Sequence, residues 1–247
     1  MQVIPFKIMM LGVGNGFSKD TYNNNALIEV KGSRFLIDCG VTAWLSLDDI
    51  GLSFHDIDGI FITHIHFDHT GGLEEAALYG AYIAKRKMKL YLPIRLRDIL
   101  WENVLKGALY NPLEGKATLE DYFDVIFLDE EEDFTFGYHL PAFWIKTKHV
   151  PGKFSCSLII DHRFFYSSDM VADKALMKKL SDFGIKTFYH DLQFKDAVVH
   201  ASFQEISQYP EFIKENMYFM HYGVRHVNDE YLKSGLKFLK QHHWKSW

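Results

Sequence analysis

Hydrophobic and polar positions alternate along this chain in short runs that turn residues separate. FKIMML at residues 6–11 is the first apolar run, and a glycine-rich turn and a polar loop follow it. ALIEV and RFLID come next, close enough together to form a hairpin whose second strand ends at Asp38. The chain is therefore predicted to begin with strands.

The same alternation continues to the C-terminus, with helical spacings between the strands. Further strands are predicted for GIFIT, KLYLP, DVIFL, AFWIKTKH, CSLIID, RFFYSS, KTFYHD and MYFMH. Helices are predicted for residues 43–49, 73–88, 95–109, 172–183 and 202–213, and from Asn228 onward. Strands and helices in both halves, with no repeat or linker, predict one α/β domain over residues 1–247. Its expected architecture is two packed mixed sheets flanked by helices.

Composition supports a large core without covalent cross-links. Of 247 residues, 48% are hydrophobic and 16% aromatic, which suffices for one large core. Cys39 and Cys156 are the only cysteines, at unrelated places, so we expect reduced core thiols instead of a disulfide framework or a cysteine zinc cluster.

Charge and hydropathy narrow the classes of partner. The formal net charge is −5, so there is no global basic field to gather a long polyanion, although a small anionic ligand is compatible with it. No run approaches the roughly 18 apolar residues of a membrane span, and the N-terminus has no basic leader. We expect a soluble cytoplasmic protein with no membrane partner.

Potential metal ligands are most closely clustered in GIFITHIHFDHTGGLEE at residues 59–75. His64, His66, Asp68 and His69 follow there directly after a predicted strand. Imidazole nitrogens and carboxylate oxygens suit zinc and neighbouring divalent metals. By the two-residue period of an extended chain, residues 64 and 66 point the same way, whereas 68 and 69 turn toward a second point. One short loop can therefore supply two adjacent metals.

Two other features carry less chemistry. GVGNG at residues 12–16 lacks the third glycine of a nucleotide-binding fingerprint and predicts a tight turn at the edge of the site. The histidines without a defensible spacing are interpreted as surface or core residues: His55, His139, His162, His226, His242 and His243.

The His-x-His-x-Asp-His motif at a strand end resembles the signature of the metallo-β-lactamase superfamily. The resemblance implies an αββα sandwich with three later ligands at strand ends, which His149, Asp169 and His221 match in order. The ligand sets implied are His64, His66 and His149 for one metal, and Asp68, His69 and His221 for the other, with Asp169 between them. Two zinc ions are favoured, with manganese or iron as alternatives, and a water shared between them would attack the substrate.

Further segments resemble the ribonuclease Z-like phosphodiesterase branch, namely MLGVGNGF, NNNALIEVKGSRFLIDCG, FFYSSDM, YHDLQF and VHASFQEI. The resemblance implies that His190 and Asp191 orient the site, although the branch has a glutamate where Asp191 stands. It makes His200, 21 residues before His221, a proton donor or charge stabiliser at the phosphate. Asp68 is a candidate acceptor for the proton of the attacking water.

Only 20 positions separate His149 from Asp169, too few for the arm with which tRNA-processing members grip their substrate. Without that arm the chain resembles the cyclic-nucleotide phosphodiesterases that include phage anti-Pycsar enzymes. This implies hydrolysis of 3′,5′-cyclic nucleotides, including cyclic pyrimidine mononucleotide signals, by a homodimer, and makes structured RNA a less favoured substrate. Residues 107–124 are expected to contact the partner or cover the site, with Tyr110 or Tyr122 stacking on a base.

Three alternatives remain open at this point. A tRNA 3′ endonuclease shares the phosphodiester motifs but has the arm. An acyl-homoserine lactonase shares the ligands but has a tyrosine shortly after the bridging aspartate, where this chain reads MVADKA. A non-catalytic protein that sequesters a nucleotide is the third, and the complete ligand set argues against it.

Overall fold

Two seven-stranded sheets form the centre of the computed structural model, which describes residues 3–137, 140–194, 198–222 and 235–247. The strands are β1 (Lys7–Met10), β2 (Ala26–Val30), β3 (Ser33–Ile37), β4 (Gly59–Phe61), β5 (Lys89–Pro93), β6 (Asp124–Leu128), β7 (Phe134–Phe136), β8 (Leu140–Lys146), β9 (Cys156–Ile160), β10 (Phe164–Tyr166), β11 (Thr187–Asp191), β12 (Met217–Met220), β13 (Lys237–Phe238) and β14 (Trp244–Ser246). Their order is β14-β1-β2-β3-β4-β5-β6 in the first sheet and β13-β12-β11-β10-β9-β8-β7 in the second.

Each sheet has an antiparallel part and a parallel part. In the first sheet, β14, β1, β2 and β3 are antiparallel neighbours, and β3 to β6 run parallel. In the second sheet, β7 to β10 are antiparallel neighbours and β10 to β13 run parallel. The two halves of the chain thus build the same strand arrangement, except that β14 returns from the C-terminal end to pair with β1.

Helical segments flank the sheets, which confirms the predicted fold class. They are α1 (Ala43–Asp49), α2 (Phe67–Thr70), α3 (Leu73–Leu78), α4 (Arg97–Leu100), α5 (Lys106–Leu109), α6 (Lys174–Phe183), α7 (Phe203–Ile206) and α8 (Glu211–Lys214). Single 3₁₀ turns occur at Phe54–Asp56, Ile94–Leu96, Pro112–Glu114 and Leu119–Asp121.

Three of the predicted helices differ from the structure. The helix predicted for 73–88 is regular only to Leu78 and continues as a π-helical segment, Tyr79–Ala84. The one predicted for 95–109 is likewise divided, with a π-helical segment at Trp101–Leu105 between α4 and α5. The helix predicted for 202–213 is interrupted before Pro210, which has no amide hydrogen to continue the ladder.

The predicted C-terminal helix is wrong over the residues that the structure describes. Residues 228–234 lie outside the described ranges, and the segment after them contributes β13 and β14 instead. The amide of Phe6 donates to the carbonyl of Trp247 at 3.1 Å, and the amide of Trp247 donates back at 2.9 Å. The edge position beside β1 therefore determines the conformation of β14, whereas β13 occupies the edge beside β12.

The central strands are buried on both faces because the sheets have helices on one side and each other on the other. In β3, Phe35 and Ile37 belong to the cluster shared with the second sheet, whereas Leu36 packs in a separate cluster with Leu47 of α1 and Leu73 of α3. This alternation explains why the strands read as nearly continuous apolar runs. Cys39 and Cys156 are buried free thiols, as predicted.

Within the described ranges, the helices lack the length and hydropathy that a bilayer-spanning segment requires.

Candidate metal centre

Strand ends from both sheets deliver the candidate ligands to one place. His64, His66, Asp68 and His69 follow β4, with Asp68 and His69 inside α2. His149, Asp169 and His221 follow β8, β10 and β12. These three strands run in one direction, since β8 and β10 are both antiparallel to β9 and β12 is parallel to β11, which is parallel to β10. Ligands at their carboxyl ends therefore meet at one edge of the sheet.

The first group of donors contains three imidazoles and a carboxylate. His66 Nδ1 lies 3.0 Å from His64 Nε2 and 3.2 Å from His149 Nε2. Both Nε2 atoms are 3.7 Å from Asp169 Oδ2. One ligand atom from each of these four residues lies within 4.8 Å of the others, so the four can hold one ion.

The second group shares Asp169 with the first. His69 Nε2 lies 3.2 Å from Asp169 Oδ1, and His221 Nε2 lies 3.3 Å from Asp68 Oδ2 and 3.5 Å from Asp169 Oδ2. Their ligand atoms also lie within 4.8 Å of one another. The structure therefore brings together all seven predicted ligands, in the two sets that the sequence resemblance implied, with Asp169 common to both.

Two hydrogen bonds and one ion-pair contact on the far side of the rings orient three of the imidazoles. His69 Nδ1 donates to Asp38 Oδ2 at 2.7 Å, and His149 Nδ1 donates to the carbonyl of Val199 at 2.6 Å. His221 Nδ1 lies 3.3 Å from Asp191 Oδ1. A proton held on Nδ1 leaves the lone pair of Nε2 for a metal, and such partners fix the orientation of the ring.

The electrostatics of the two groups suit cations. Burial lowers the pKa of His64 well below its usual range and that of His66 to about 4, so both imidazoles are neutral donors. Burial also lowers the pKa of His69, but Asp169 and Asp38 outweigh this effect and raise it well above the usual value. The carboxylates thus create a field that favours positive charge at this point.

Two atoms of the candidate ligands are buried without a hydrogen-bond partner. Within the described ranges, His69 Nε2 and Asp169 Oδ1 have no hydrogen-bond partner although both are buried. Buried polar atoms are ordinarily satisfied, and coordination of a metal would satisfy both. Nitrogen and carboxylate donors in these numbers fit zinc, manganese or iron. The residues present therefore fit two divalent metal ions.

His200 and Asp191 form a pair beside the ligands. His200 Nδ1 lies 2.7 Å from Asp191 Oδ2, and the amide of Met170 donates to the same oxygen at 3.1 Å. Burial lowers the pKa of His200, but the buried Asp191 carboxylate outweighs it and raises the pKa above its usual value. The carboxylate holds Nδ1, so Nε2 is the nitrogen that remains for a ligand.

A cavity of about 330 Å³ opens over these groups. Its lining residues are Asn15, Gly16, Phe17, His66, Phe67, Asp68, His149, Asp169, Gln193, Val199, His200 and His221. The GVGNG turn therefore lies at the edge of the site, as predicted. The volume is near the lower end of the roughly 300–1,000 Å³ typical of small-molecule sites.

Comparison with known proteins gives the family. The family model for the anti-Pycsar protein Apyc1 matches residues 6–245. The chain belongs to the anti-Pycsar Apyc1 family. It is 40% identical over 240 residues to the Apyc1 protein of Paenibacillus xerothermodurans, covering 96% of this chain and 95% of that one. It is 38% identical over 244 residues to the Apyc1 protein of Bacillus phage BSP38, covering 93% of each.

Solved structures support the fold. The metallo-β-lactamase fold protein YhfI from Bacillus subtilis superposes with a TM-score of 0.74 at 18% identity, over 98% of this chain and 99% of that one. The short form of human tRNase Z superposes with a TM-score of 0.64 at 19% identity, over 98% of both chains. The predicted family and the predicted metallo-β-lactamase fold are therefore confirmed for this Apyc1 family member.

His190 does not lie where the sequence analysis expected it. Its ring packs 5.7 Å from that of Tyr209, and its Nδ1 donates to the carbonyl of Asp191. Neighbouring side chains on β11 point to opposite faces, so Asp191 faces the ligands and His190 faces away. The expectation that the His190 imidazole orients the site is therefore corrected.

Neither tyrosine of residues 107–124 lines the cavity in which a base was expected to stack. Tyr122 is only 2% exposed, and its hydroxyl donates to the carbonyl of Leu109, so its ring offers no face to a base. The expectation that Tyr122 stacks on a base is therefore wrong, because its ring packs in the core with Leu109 of α5. Tyr110 is 51% exposed but does not line the cavity described above, and its contact with a base stays a prediction.

Asp38 is an orienting group that was not predicted from the sequence. Besides His69 it accepts a hydrogen bond from the amide of Thr63 at 2.8 Å, and it is fully buried. Its backbone φ is 64°, and Ser168 and His221 at other strand ends also have positive φ. Such conformations in non-glycine residues gather at functional sites. An acidic residue directly after the apolar run RFLI was the available signal.

Proposed function

We propose that this Apyc1 family member is a dinuclear metal phosphodiesterase that hydrolyses 3′,5′-cyclic nucleotides, among them cyclic pyrimidine mononucleotide signals. The observation that carries the proposal is the His200–Asp191 pair beside the two donor groups that the seven predicted ligands form, in one small cavity. The relatives' designation as anti-Pycsar proteins supports the choice of ligand. Zinc is the favoured metal, and a cytoplasmic location stays a prediction.

Two divalent ions in these groups would acidify a bound water and stabilise the negative charge that develops on the phosphate. The chain's own residues then handle protons. Asp68 lines the cavity and is positioned to accept the proton of the attacking water. Attack on phosphorus opens the ring by breaking one P–O bond, and the departing oxygen must gain a proton.

His200 is the residue placed to give that proton. Its Nδ1 is held by Asp191, and Asp191 is itself held by the amide of Met170, so Nε2 is presented to the cavity in one orientation. A positioned imidazole that donates to a departing alkoxide contributes about 10²- to 10⁴-fold. Asp191 therefore acts through His200 and His221, not on the substrate itself.

A second cavity, of about 630 Å³, shares His149 with the first and suits an anionic substrate. Arg95, Lys146, Lys148 and Lys153 line it. None of their side-chain nitrogens forms an ion pair or hydrogen bond with the residues that the structure describes. In a chain of net charge −5, these four cations form a local positive field beside the ligands that would attract a phosphodiester.

We also propose a homodimer, because several large apolar side chains are exposed on one face, beside the acidic side chains of Glu74 and Glu75. The face runs from Val41 past Gly71 to Leu78 and Ile83 of the α3 region. It continues to Leu113, which is 98% exposed, since the hydroxyl of Tyr82 donates to Glu114. A second copy would cover this surface. Ile83→Glu and Leu113→Glu should shift the mass measured by light scattering from dimer to monomer, while Phe183→Glu, on another surface, should not.

The decisive experiment presents the zinc- or manganese-loaded protein with 3′,5′-cyclic CMP and AMP, an acyl-homoserine lactone and a precursor tRNA. Ring opening of the cyclic nucleotides that is lost in Asp68→Ala supports the proposal. Turnover of only the lactone or only the tRNA would reject it in favour of those activities. Stoichiometric binding of nucleotide without product would instead indicate sequestration.

The role of His200 is tested with two leaving groups. His200→Gln should lower kcat for cyclic nucleotides by about 10²- to 10⁴-fold, because an alkoxide leaves poorly without a proton. A nitrophenyl phosphodiester releases a stable anion, so the same variant should lose far less activity toward it. Equal losses for both esters would show that His200 does not act as the proton donor.

A further inference from the structure

Two phenylalanines stand at the mouth of the catalytic cavity. We propose that Phe17 and Phe67 bind the base of the nucleotide by stacking, an inference that rests on the proposed function. Phe17 is 84% exposed and Phe67 is 50% exposed, and both line the cavity that contains His200 and the ligands. Their ring centroids are 6.2 Å apart with a tilt of 56°.

Phe17 and Phe67 expose aromatic surface to solvent at adjacent positions. Large apolar side chains are ordinarily withdrawn from water, and adjacent exposed aromatics mark contact sites. The tilt between the rings means that neither covers the face of the other, and each keeps aromatic surface in contact with solvent. A nucleobase is a flat aromatic group that would cover this surface.

The metal ligands on either side fix the position of Phe67. It lies between His66 and Asp68, and its carbonyl accepts from the amide of Gly71 in the first turn of α2. A base stacked on this ring would therefore keep a constant relation to the groups that contact the phosphate. The ring of Phe67 and the ligands His66 and Asp68 therefore belong to one short segment.

The loop that contains Phe17 can approach Phe67 closely because Gly16 has no side chain. A Cβ at Gly16 would lie 2.9 Å from the ring of Phe67 and 3.1 Å from Asp68 Oδ2. The amide of Phe17 donates to the side chain of Asn15 at 3.0 Å, which stabilises the turn. Glycine at this position thus permits the two rings to approach each other over the ligands.

The arrangement separates the two ends of a cyclic nucleotide. The charged groups that would contact the phosphate are buried at the floor, whereas the two aromatic rings lie on the exposed rim. Tyr122, the alternative stacking residue, is buried, and no ring of residues 107–124 lines this cavity. Among the residues that the structure describes, Phe17 and Phe67 are the phenylalanine, tyrosine or tryptophan side chains that line this cavity.

The test compares Phe17→Ala and Phe67→Ala with the wild type on cyclic CMP, cyclic AMP and 1-deoxyribose 3′,5′-cyclic phosphate, which has no base. Loss of stacking should raise KM for the nucleotides by on the order of five- to a hundredfold with little change in kcat. KM for the base-free substrate should be unchanged. Phe17→Trp retains an aromatic face and should retain the wild-type KM.

Phe212→Ala is the matched control, because Phe212 is similarly exposed but does not line the cavity. Metal content is measured for each variant, so that a disturbed ligand segment is recognised in Phe67→Ala. Absence of nucleotide turnover in the wild type would reject the proposed function itself. Normal wild-type turnover with unchanged KM in both phenylalanine variants, or a change in dimer mass without a change in KM, would reject the base-binding role alone.

Discussion

The two halves of the fold have the same strand arrangement but supply the candidate metal ligands in different ways. The first half places four ligands in one short segment after β4, within the six residues from His64 to His69, of which Asp68 and His69 lie in α2. The second half places one ligand after each of β8, β10 and β12, at His149, Asp169 and His221. A clustered set depends on local spacing, whereas a scattered set depends on the order and direction of strands.

Each half also orients its own histidines. Asp38, at the end of β3, holds His69, and Asp191, at the end of β11, lies against His221. Asp169 is the ligand that joins the two donor groups, and a hydrogen bond of 2.7 Å between Thr63 Oγ1 and Ser168 Oγ links the strand ends beneath it. The site is therefore two separately supported halves that meet at one carboxylate.

Substitution of that carboxylate should have the largest effect. Asp169→Asn removes the negative oxygen that both groups share, so we expect loss of both metals and a fall in turnover of at least about 10³-fold. Metal content after gel filtration and cyclic-nucleotide turnover measure this. His66→Ala, which touches only the first group, should retain metal in the second. Two bound metals in Asp169→Asn would contradict the shared role.

Substitution of the orienting carboxylates Asp38 and Asp191 should have smaller effects on metal binding, and the two substitutions should differ in their effect on kcat. Asp38→Asn replaces an acceptor for His69 Nδ1 with a neutral amide and should weaken metal binding by about 10- to 100-fold, measured by competition with a chelator. Asp191→Asn should weaken metal binding and also lower kcat in metal-saturated enzyme, because Asp191 holds His200 too. Equal effects of both variants on saturated kcat would argue against this division.

Removal of the metals should destabilise both halves together. At a metal concentration about 1,000 times Kd, each bound ion stabilises the fold by about 4 kcal/mol, so removal of both by a chelator should lower Tm by roughly 15 to 30 °C for a chain of this size. Calorimetry measures the shift, and re-addition of zinc is the control. Because ligands come from both sheets, one transition should move as a whole. Separate transitions would show that the halves unfold independently.

The smallest effect is expected at His190, next to Asp191 on β11. Its side chain points to the opposite face of the strand, so His190→Gln should change turnover by less than about twofold. The comparison with Asp191→Asn, one residue away, uses the same assay. A large loss in His190→Gln with normal metal content and normal Tm would place the imidazole in the mechanism after all.

The sequence predicted most strands because each is an apolar run bounded by turns, and KLYLP and DVIFL match β5 and β6 over their full length. The prediction of secondary structure was wrong where tertiary contacts determine the conformation of a segment. The C-terminal segment became strands because the edges of β12 and β1 were open to it, and the π-helical segments are not encoded in apolar spacing. Helix prediction from periodicity cannot detect either effect.

For the site, local pattern identified the four ligands after β4, but His149, Asp169 and His221 needed the family resemblance. No spacing rule connects residues that meet only through strand order. Asp38 and Phe17 were not predicted as site residues for the same reason. Asp38 is buried behind the ligand His69, and Phe17 lies in a polar loop. Their roles follow from contacts between segments distant in the sequence.

The return of β14 to the first sheet has a consequence for synthesis of the chain. Until residues 244–246 have been translated, β1 has a partner only in β2, and its other edge is open to other chains. At about 5–20 residues per second, the ribosome needs roughly 10 to 50 seconds to travel from one strand to the other. The nascent protein thus spends that interval with an unpaired sheet edge, when protection by a chaperone would matter most.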